Sequence, residues 1–157
     1  MPISNIDVLR VMTQLPGLVP AEAKVARAWL EEHHQEFESV EFNVRLGSGV
    51  VLPAGAPEYM QRFATASTTK RADMVLHLGR DVTIVEVKVR ISGGAFGQLT
   101  LYKRLYIADH PEVQRVHLVA AGVTIDPDVS GLFSDHGIAV EVFPNAWAPP
   151  APPLKIT

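Results

Sequence analysis

Three charged residues stand inside two apolar segments near the middle of the chain. Asp73 lies within 72–78, and Glu86 and Lys88 lie within 82–89, and both segments are strongly apolar, as buried strands are. A charge inside a buried strand is costly unless it is paired or bound to a metal ion. The pattern therefore predicts a charge cluster with a chemical role.

The turn between the two segments determines which charges meet. A two-residue hairpin turn with glycine first, Gly79-Arg80, fits type II′ and would place Asp73 opposite Glu86. Lys88 would then share that face, about 6.6 Å further along the strand. A turn shifted by one residue would instead place Asp73 opposite Lys88, in an ordinary cross-strand ion pair.

Two facing carboxylates repel each other and need compensation. A hard divalent cation, which prefers oxygen ligands, would supply it, and a lysine beside the carboxylates would add a compact positive charge. In the first register, the residues alone thus predict a site for a divalent metal ion.

The same residues resemble a known motif. An aspartate at 73, twelve intervening residues and then EVK at 86–88 resemble the PD-(D/E)xK nuclease superfamily, although Ala72 stands where the namesake proline would be. A glycine-rich link then leads into QLTLY at 98–102, which is similar to the Q-L-x-x-Y helix of RecB-like members. The resemblance covers roughly 21–121.

The resemblance implies a fold, an activity and a set of roles. The fold would be α/β, a mixed β-sheet flanked by helices with an α-β-β-β-α-β restriction-endonuclease-like core. The activity would be Mg²⁺- or Mn²⁺-dependent hydrolysis of phosphodiester bonds, in DNA rather than RNA. Asp73, Glu86 and the backbone carbonyl of Val87 would hold the metal, Lys88 would orient the attacking water, and Gln98 would position the water or the phosphate.

A third carboxylate is predicted to join this site from the first long helix. Glu22 precedes Val25 and Trp29 by three and seven residues, so it shares their apolar face and should lean toward the sheet and the metal. The alternative role is that of an ordinary N-terminal glutamate, stabilised by the helix dipole.

Charge is distributed unevenly along the chain. The net charge is −3, yet segment 62–104 holds eight basic and three acidic residues. This balance predicts either a surface for a polyanion or a solvated basic face. The candidate nucleic-acid-binding residues are Lys70, Arg71, Arg90, Tyr102, Lys103 and Arg104.

The remaining segments are predicted to build an α/β sandwich around these residues. They comprise a helix over 21–37, strands over 40–46, 116–121 and 138–143, and a helix from the glycine-rich link to about 108. Alternation over 40–46 places Val40, Phe42, Val44 and Leu46 on one face. Segment 53–70 is ambiguous, with 65–69 predicted to be loop.

The length of the chain and the concentration of prolines near its end predict one domain over 1–143, followed by a proline-rich tail over 144–157. The absence of cysteine excludes disulfides, thiolate zinc sites and cysteine nucleophiles. No segment has the pattern of a membrane span or a signal peptide, and we expect a cytoplasmic protein.

The expected partner is DNA, and the protein would act as a homodimer or within a larger complex. Two other functions fit the same sequence. One is a catalytically weak or inactive nuclease-fold module that binds DNA. The other is a structural or assembly protein that docks through its proline-rich tail.

Overall fold

Five strands form one mixed sheet in the order β1-β2-β3-β4-β5, in a computed structural model that describes residues 2–147. Strands β1, β2 and β3 form an antiparallel meander, whereas β4 runs parallel to β3 and β5 parallel to β4. The predicted α/β class with a mixed sheet is confirmed. The strands are Ser39–Leu46, Lys70–Leu78, Asp81–Ile91, Arg115–Ile125 and Ala139–Val142.

Helices cover both faces of the sheet. They are α1 (Ile6–Val11), α2 (Pro20–His33), α3 (Glu58–Thr68), α4 (Gly93–Asp109) and α5 (Ser130–Asp135), followed by a 3₁₀ helix over Pro144–Trp147. One apolar cluster lies under α2, around Val25 and Trp29, and the other lies under α4, around Leu99 and Tyr106. The order α2-β1-β2-β3-α4-β4 is the predicted one, with α3 inserted between β1 and β2.

The structure confirms the first of the two predicted registers between β2 and β3. Leu78 pairs with Asp81, and the ladder continues to Met74 opposite Val85. Gly79 has a φ of 58°, as a type II′ turn requires at its first position. The shifted register that would pair Asp73 with Lys88 is excluded.

Strand β1 does not keep its apolar residues on one face, so that prediction is wrong. Val40 and Phe42 pack in the cluster under α2, whereas Val44 and Leu46 pack in the cluster under α4. Between them lies Asn43, which has a φ of 53°. Among residues 2–147, it is the one residue other than glycine that has a positive φ. This left-handed residue turns the strand over, which a strict two-residue alternation does not allow for.

Strand β2 changes face at the same level. Phe42 pairs with Met74 and Val44 pairs with Ala72, so the register places Asp73 opposite Asn43. Met74 belongs to the cluster under α2, and Ala72 belongs to the cluster under α4. Asp73 therefore occupies the point at which the meander twists.

Helix α3 includes most of the segment that was predicted to be loop. Serine and threonine disfavour helices when their side chains compete for the backbone, but here they bond to carbonyls within the helix. The hydroxyls of Thr68 and Thr69 donate to the carbonyls of Ala64 and Thr65, four residues back, at 2.6 Å each. None of the residues of α3 is buried.

The predicted proline-rich tail begins with folded structure. In its 3₁₀ helix, Ala146 packs against the cluster under α2. Residues 148–157 lie outside the described residues. Among the helices of residues 2–147, none is long and apolar enough to cross a membrane.

Candidate metal centre

The site begins where the β2–β3 ladder stops. One position beyond the last ladder pair, the carboxylate of Asp73 accepts a hydrogen bond from the backbone N–H of Val87 at 2.8 Å. A side chain thus takes the place of the next main-chain partner, and the β2–β3 ladder ends here. This arrangement fixes Asp73 beside Glu86, the neighbour that the register assigns to it.

Glu86 is the most unusual side chain of the site. Its side chain is 2 % exposed, and its Oε1 lies 3.0 Å from the Nζ of Lys88. Its Oε2 has no hydrogen-bond partner, and among residues 2–147 it is the one buried side-chain oxygen or nitrogen that lacks a partner. Because buried polar atoms are nearly always satisfied, this oxygen calls for a further partner, which is either a bound cation or a proton shared with the neighbouring carboxylate of Asp73.

Burial favours the protonated forms of both carboxyl groups. Burial, and then the charge of Asp73, raises the pKa of Glu86 to about 7, although Lys88 opposes the shift. Burial also raises the pKa of Asp73 to about 6, against the hydrogen bond from Val87. A bound cation would reverse this preference, because it favours the charged forms.

Glu22 joins the site from the first turn of α2. Its side chain is half-buried, and its charge contributes to the raised pKa values of Asp73 and Lys88. This influence is consistent with the shared face of Glu22, Val25 and Trp29 that the sequence indicates. Glu22 therefore acts on Asp73 and Lys88, the two charged neighbours of Glu86.

Helix α4 closes the site from the other face of the sheet. Gln98 donates a hydrogen bond from Nε2 to the hydroxyl oxygen of Tyr102 at 3.3 Å. Burial, and then the charge of Glu86, raises the pKa of Tyr102 to about 12. Tyr102 is thus a buried neighbour of the carboxylates rather than an exposed nucleic-acid contact, and Gln98 is held beside it.

The candidate cations fall into two groups. Lys70 and Arg71 are exposed at the start of β2, immediately before Asp73. Arg45, which the sequence reasoning missed, lies directly opposite Arg71 in the β1–β2 register. Like charges that face each other across a ladder are destabilising unless an anion compensates them. Only the register between β1 and β2 could have identified this pair.

The other predicted cations are either paired with a carboxylate elsewhere or exposed on α4. Arg90 pairs with Asp126 at 3.4 Å. Lys103 and Arg104 are exposed on α4, and Arg104 lies about 200° around the helix from the buried Tyr102, on the outward side. These two residues therefore face solvent rather than strands β2 and β3.

A second group of titratable residues ties α2 to β5. The ligand-type atoms of Glu32, His33 and Glu141 all lie within 4.8 Å of one another. Both ring nitrogens of His33 are already engaged, Nδ1 by Glu36 and Nε2 by Glu141, at 2.7 Å each. Glu141 also accepts a hydrogen bond from the indole of Trp29. The contacts are those of a satisfied ion-pair network, in contrast to the orphaned oxygen of Glu86.

Comparison of the chain with protein-family models, with curated proteins and with solved structures finds no match.

Proposed function

We propose that the protein is a metal-dependent nuclease that hydrolyses phosphodiester bonds, with DNA as its substrate. The observation that carries the proposal is the orphaned, buried Oε2 of Glu86 beside Asp73 and Lys88. A carboxylate pair buried at this cost fits a site whose partner is a cation. The resemblance of the 73–88 motif to PD-(D/E)xK nucleases supports the same function.

The donor set suits Mg²⁺ or Mn²⁺. Hard divalent ions prefer carboxylate, carbonyl and water oxygens, and Asp73, Glu86, Glu22 and the carbonyl of Val87 would provide them. When bound, such an ion lowers the pKa of a water ligand and stabilises negative charge on a phosphate. The protein contributes the fixed positions of the ligands, held by strands β2 and β3.

The remaining residues have roles that follow from their positions. Lys88, held at 3.0 Å from Glu86, supplies a positive charge next to the carboxylates and orients the attacking water. Gln98, hydrogen-bonded to Tyr102, presents an amide from α4 for the water or the phosphate. Arg71, Arg45 and Lys70 form the basic rim that receives the nucleic-acid backbone.

A cleavage assay tests the proposal. Single-stranded, duplex and branched DNA are incubated with the full chain in Mg²⁺, in Mn²⁺ and in EDTA. We expect cleavage with metal, none in EDTA, and none by Asp73→Asn or Glu86→Gln. Asp135→Asn, which removes an exposed carboxylate on α5, is the matched control and should cleave like the wild type.

Two results would contradict the proposal. Metal-dependent cleavage that survives Glu86→Gln would place the activity elsewhere. A protein that binds DNA but does not cleave it with either metal would be a nuclease-fold binding module instead. A cytoplasmic location and assembly into a homodimer or a larger complex belong to the same proposal.

A further inference from the structure

Helix α3 turns its polar side inward, toward the loop that precedes it. The side-chain amide of Gln61 accepts a hydrogen bond from the N–H of Leu52 at 2.8 Å and donates one to the carbonyl of Val50 at 3.1 Å. The hydroxyl of Thr68 accepts a hydrogen bond from the N–H of Val50 at 2.6 Å. These bonds fix the orientation of the helix without burying any of its residues.

The other side of α3 presents aromatic rings to solvent. Tyr59 is 70 % exposed and Phe63 is 75 % exposed, and residues four apart lie on the same face of a helix. Together with Leu52, Met60 and Ala64, they line an apolar groove of about 640 Å³. An aromatic face of this kind requires an explanation, because large exposed apolar patches mark binding sites.

The position of α3 connects this face with the candidate metal centre. The helix ends at Thr68, and the chain continues into Lys70, Arg71 and Asp73. Because β2 and β3 are antiparallel, the start of β2 lies at the end of β3 that follows Lys88. The C-terminal end of α3 is therefore adjacent to the end of the sheet that holds the carboxylates.

The charge of this region complements a polyanion. Segment 59–72 contains no acidic residue and includes Arg62, Lys70 and Arg71. Arg62 has an exposed pair with Glu58 at 3.5 Å, which an anionic ligand could replace at little cost. An apolar protein partner would need the rings but not the cations, whereas a nucleic acid uses both.

We propose that Tyr59 and Phe63 form a stacking platform for the bases of a single-stranded nucleic acid, an inference that rests on the nuclease function proposed above. Unpaired bases stack on aromatic side chains, while cations hold their phosphates. A duplex keeps its bases inside its own stack and cannot use exposed rings in this way. The substrate class is a single strand, or the unpaired end of a duplex, led from the platform past Lys70 and Arg71 to the carboxylates.

Paired substitutions separate stacking from mere apolarity. The double variant Tyr59→Leu plus Phe63→Leu keeps the apolar surface but removes the π faces. The matched control, Tyr59→Phe plus Phe63→Tyr, keeps both rings. Because both side chains are mostly exposed, we expect wild-type melting temperatures for all of these variants.

Binding is measured in EDTA by fluorescence anisotropy, with labelled oligo(dT) and with a blunt duplex of equal length. We expect the leucine variant to bind oligo(dT) at least about tenfold more weakly and the ring-keeping variant to bind like the wild type. The affinity for the blunt duplex should change little. An unchanged affinity of the leucine variant for oligo(dT), or an equal loss for both probes, would overturn the inference.

The alternative occupant of this face is a second copy of the chain, so we measure self-association by sedimentation for the same variants and for Tyr59→Ser plus Phe63→Ser. If self-association survives in the leucine variant but is abolished in the serine variant, the face is a dimer contact and the inference is overturned. The two proposals fail separately. If cleavage depends on Glu86 but neither cleavage nor binding depends on the rings, the nuclease function stands and the stacking platform is wrong. If binding of oligo(dT) depends on the rings but no cleavage occurs, the platform stands and the nuclease function is wrong.

Discussion

At the level of single residues, the buried environment of Glu86 lowers the stability of the folded protein. The side chain is 2 % exposed, one oxygen has Lys88 as its partner and the other has none. Burial and the nearby Asp73 raise its pKa to about 7, so the folded protein binds a proton here more tightly than the unfolded chain does. At pH 8 this carboxylate therefore lowers the stability of the metal-free protein.

Removing that charge should relieve the strain. For Glu86→Gln we expect a free energy of unfolding at pH 8 in EDTA that is unchanged or higher by about 1 kcal/mol. The amide keeps an oxygen for Lys88 and gains N–H donors that can reach Asp73. Urea denaturation in EDTA measures the change, and thermal melting with added Mn²⁺ should show stabilisation of the wild type alone. Unfolding of the variant would instead show that the carboxylate is structural.

At the level of elements, the site depends on a change of face in the meander. Asn43 in β1 and Asp73 in β2 lie opposite each other, and the apolar residues on either side of them pack under different helices. The positive φ of Asn43 produces this change in β1. It leaves Asp73 free to bond to Val87 with its side chain rather than to continue the ladder.

Substitutions at Asn43 test this dependence. Asn43→Val should lower the free energy of unfolding by about 1–2 kcal/mol, because β-branched residues disfavour the left-handed region. Asn43→Gly, which accepts a positive φ without strain, should be nearly neutral and is the control. Denaturation curves of both variants measure the difference. Equal losses would mean that the side-chain contacts of Asn43, rather than its backbone conformation, matter.

At the level of the whole molecule, basic residues concentrate at one end of the sheet. Lys70, Arg71 and Arg45 are exposed where β1 ends and β2 begins, and Arg71 and Arg45 face each other across the ladder. Arg115 lies at the opposite end, where it pairs in register with Asp81. Under the proposed function, this is the end of the sheet from which nucleic acid would approach.

Charge reversal distinguishes the two ends. We expect Arg71→Glu to weaken DNA binding and to reduce its salt dependence, because one phosphate contact is lost. Folding should be preserved, since the new carboxylate faces Arg45. Arg115→Glu is the matched control, and this variant should bind DNA nearly as the wild type does. Arg104→Glu lies on the outward side of α4 and should weaken binding less than Arg71→Glu does. Binding isotherms at several salt concentrations supply the measurement; equal effects at all three positions would indicate non-specific attraction.

A second feature of the whole molecule is the contact between α2 and β5 through His33. Burial alone would lower the pKa of this histidine, but its hydrogen bonds to Glu36 and Glu141 outweigh burial and raise it. A raised histidine pKa adds stability that is complete below about pH 6.5 and is lost as the pH rises through the folded-state value. Glu32 and His117 lie around the same contact.

The stability that this contact contributes should decrease as the pH rises. Glu141→Gln should lower the free energy of unfolding by about 1–2 kcal/mol at pH 5.5, and by less at pH 8.5, because only the protonated imidazole gains from the carboxylate. The glutamine still offers an oxygen to Trp29. The control is Glu112→Gln, which removes the partner of the exposed His110 and should have little effect at either pH. A loss that is the same at both pH values would show that the contact does not depend on the charge of His33.

Local chemistry determined much of the site in advance. The Gly79-Arg80 turn fixed the β2–β3 register, and the two-residue period of a strand then assigned Glu86 and Lys88 to one face beside Asp73. The apolar face of the first long helix indicated that Glu22 would approach from α2. The register and the contact of Glu86 with Lys88 are confirmed, because each depends on residues that are close together in sequence, where turn type and periodicity act directly.

Other features depended on contacts between distant parts of the chain. The change of face at Asn43, the opposition of Arg45 and Arg71, and the inward polar side of α3 each need strands or loops to meet, and no local pattern encodes them. The ion pairs of His33 with Glu141 and of Arg90 with Asp126 arise in the same way. The sequence by itself therefore determined which groups could do chemistry, while the tertiary structure decided how deeply they are buried, because burial depends on what the rest of the chain packs against them.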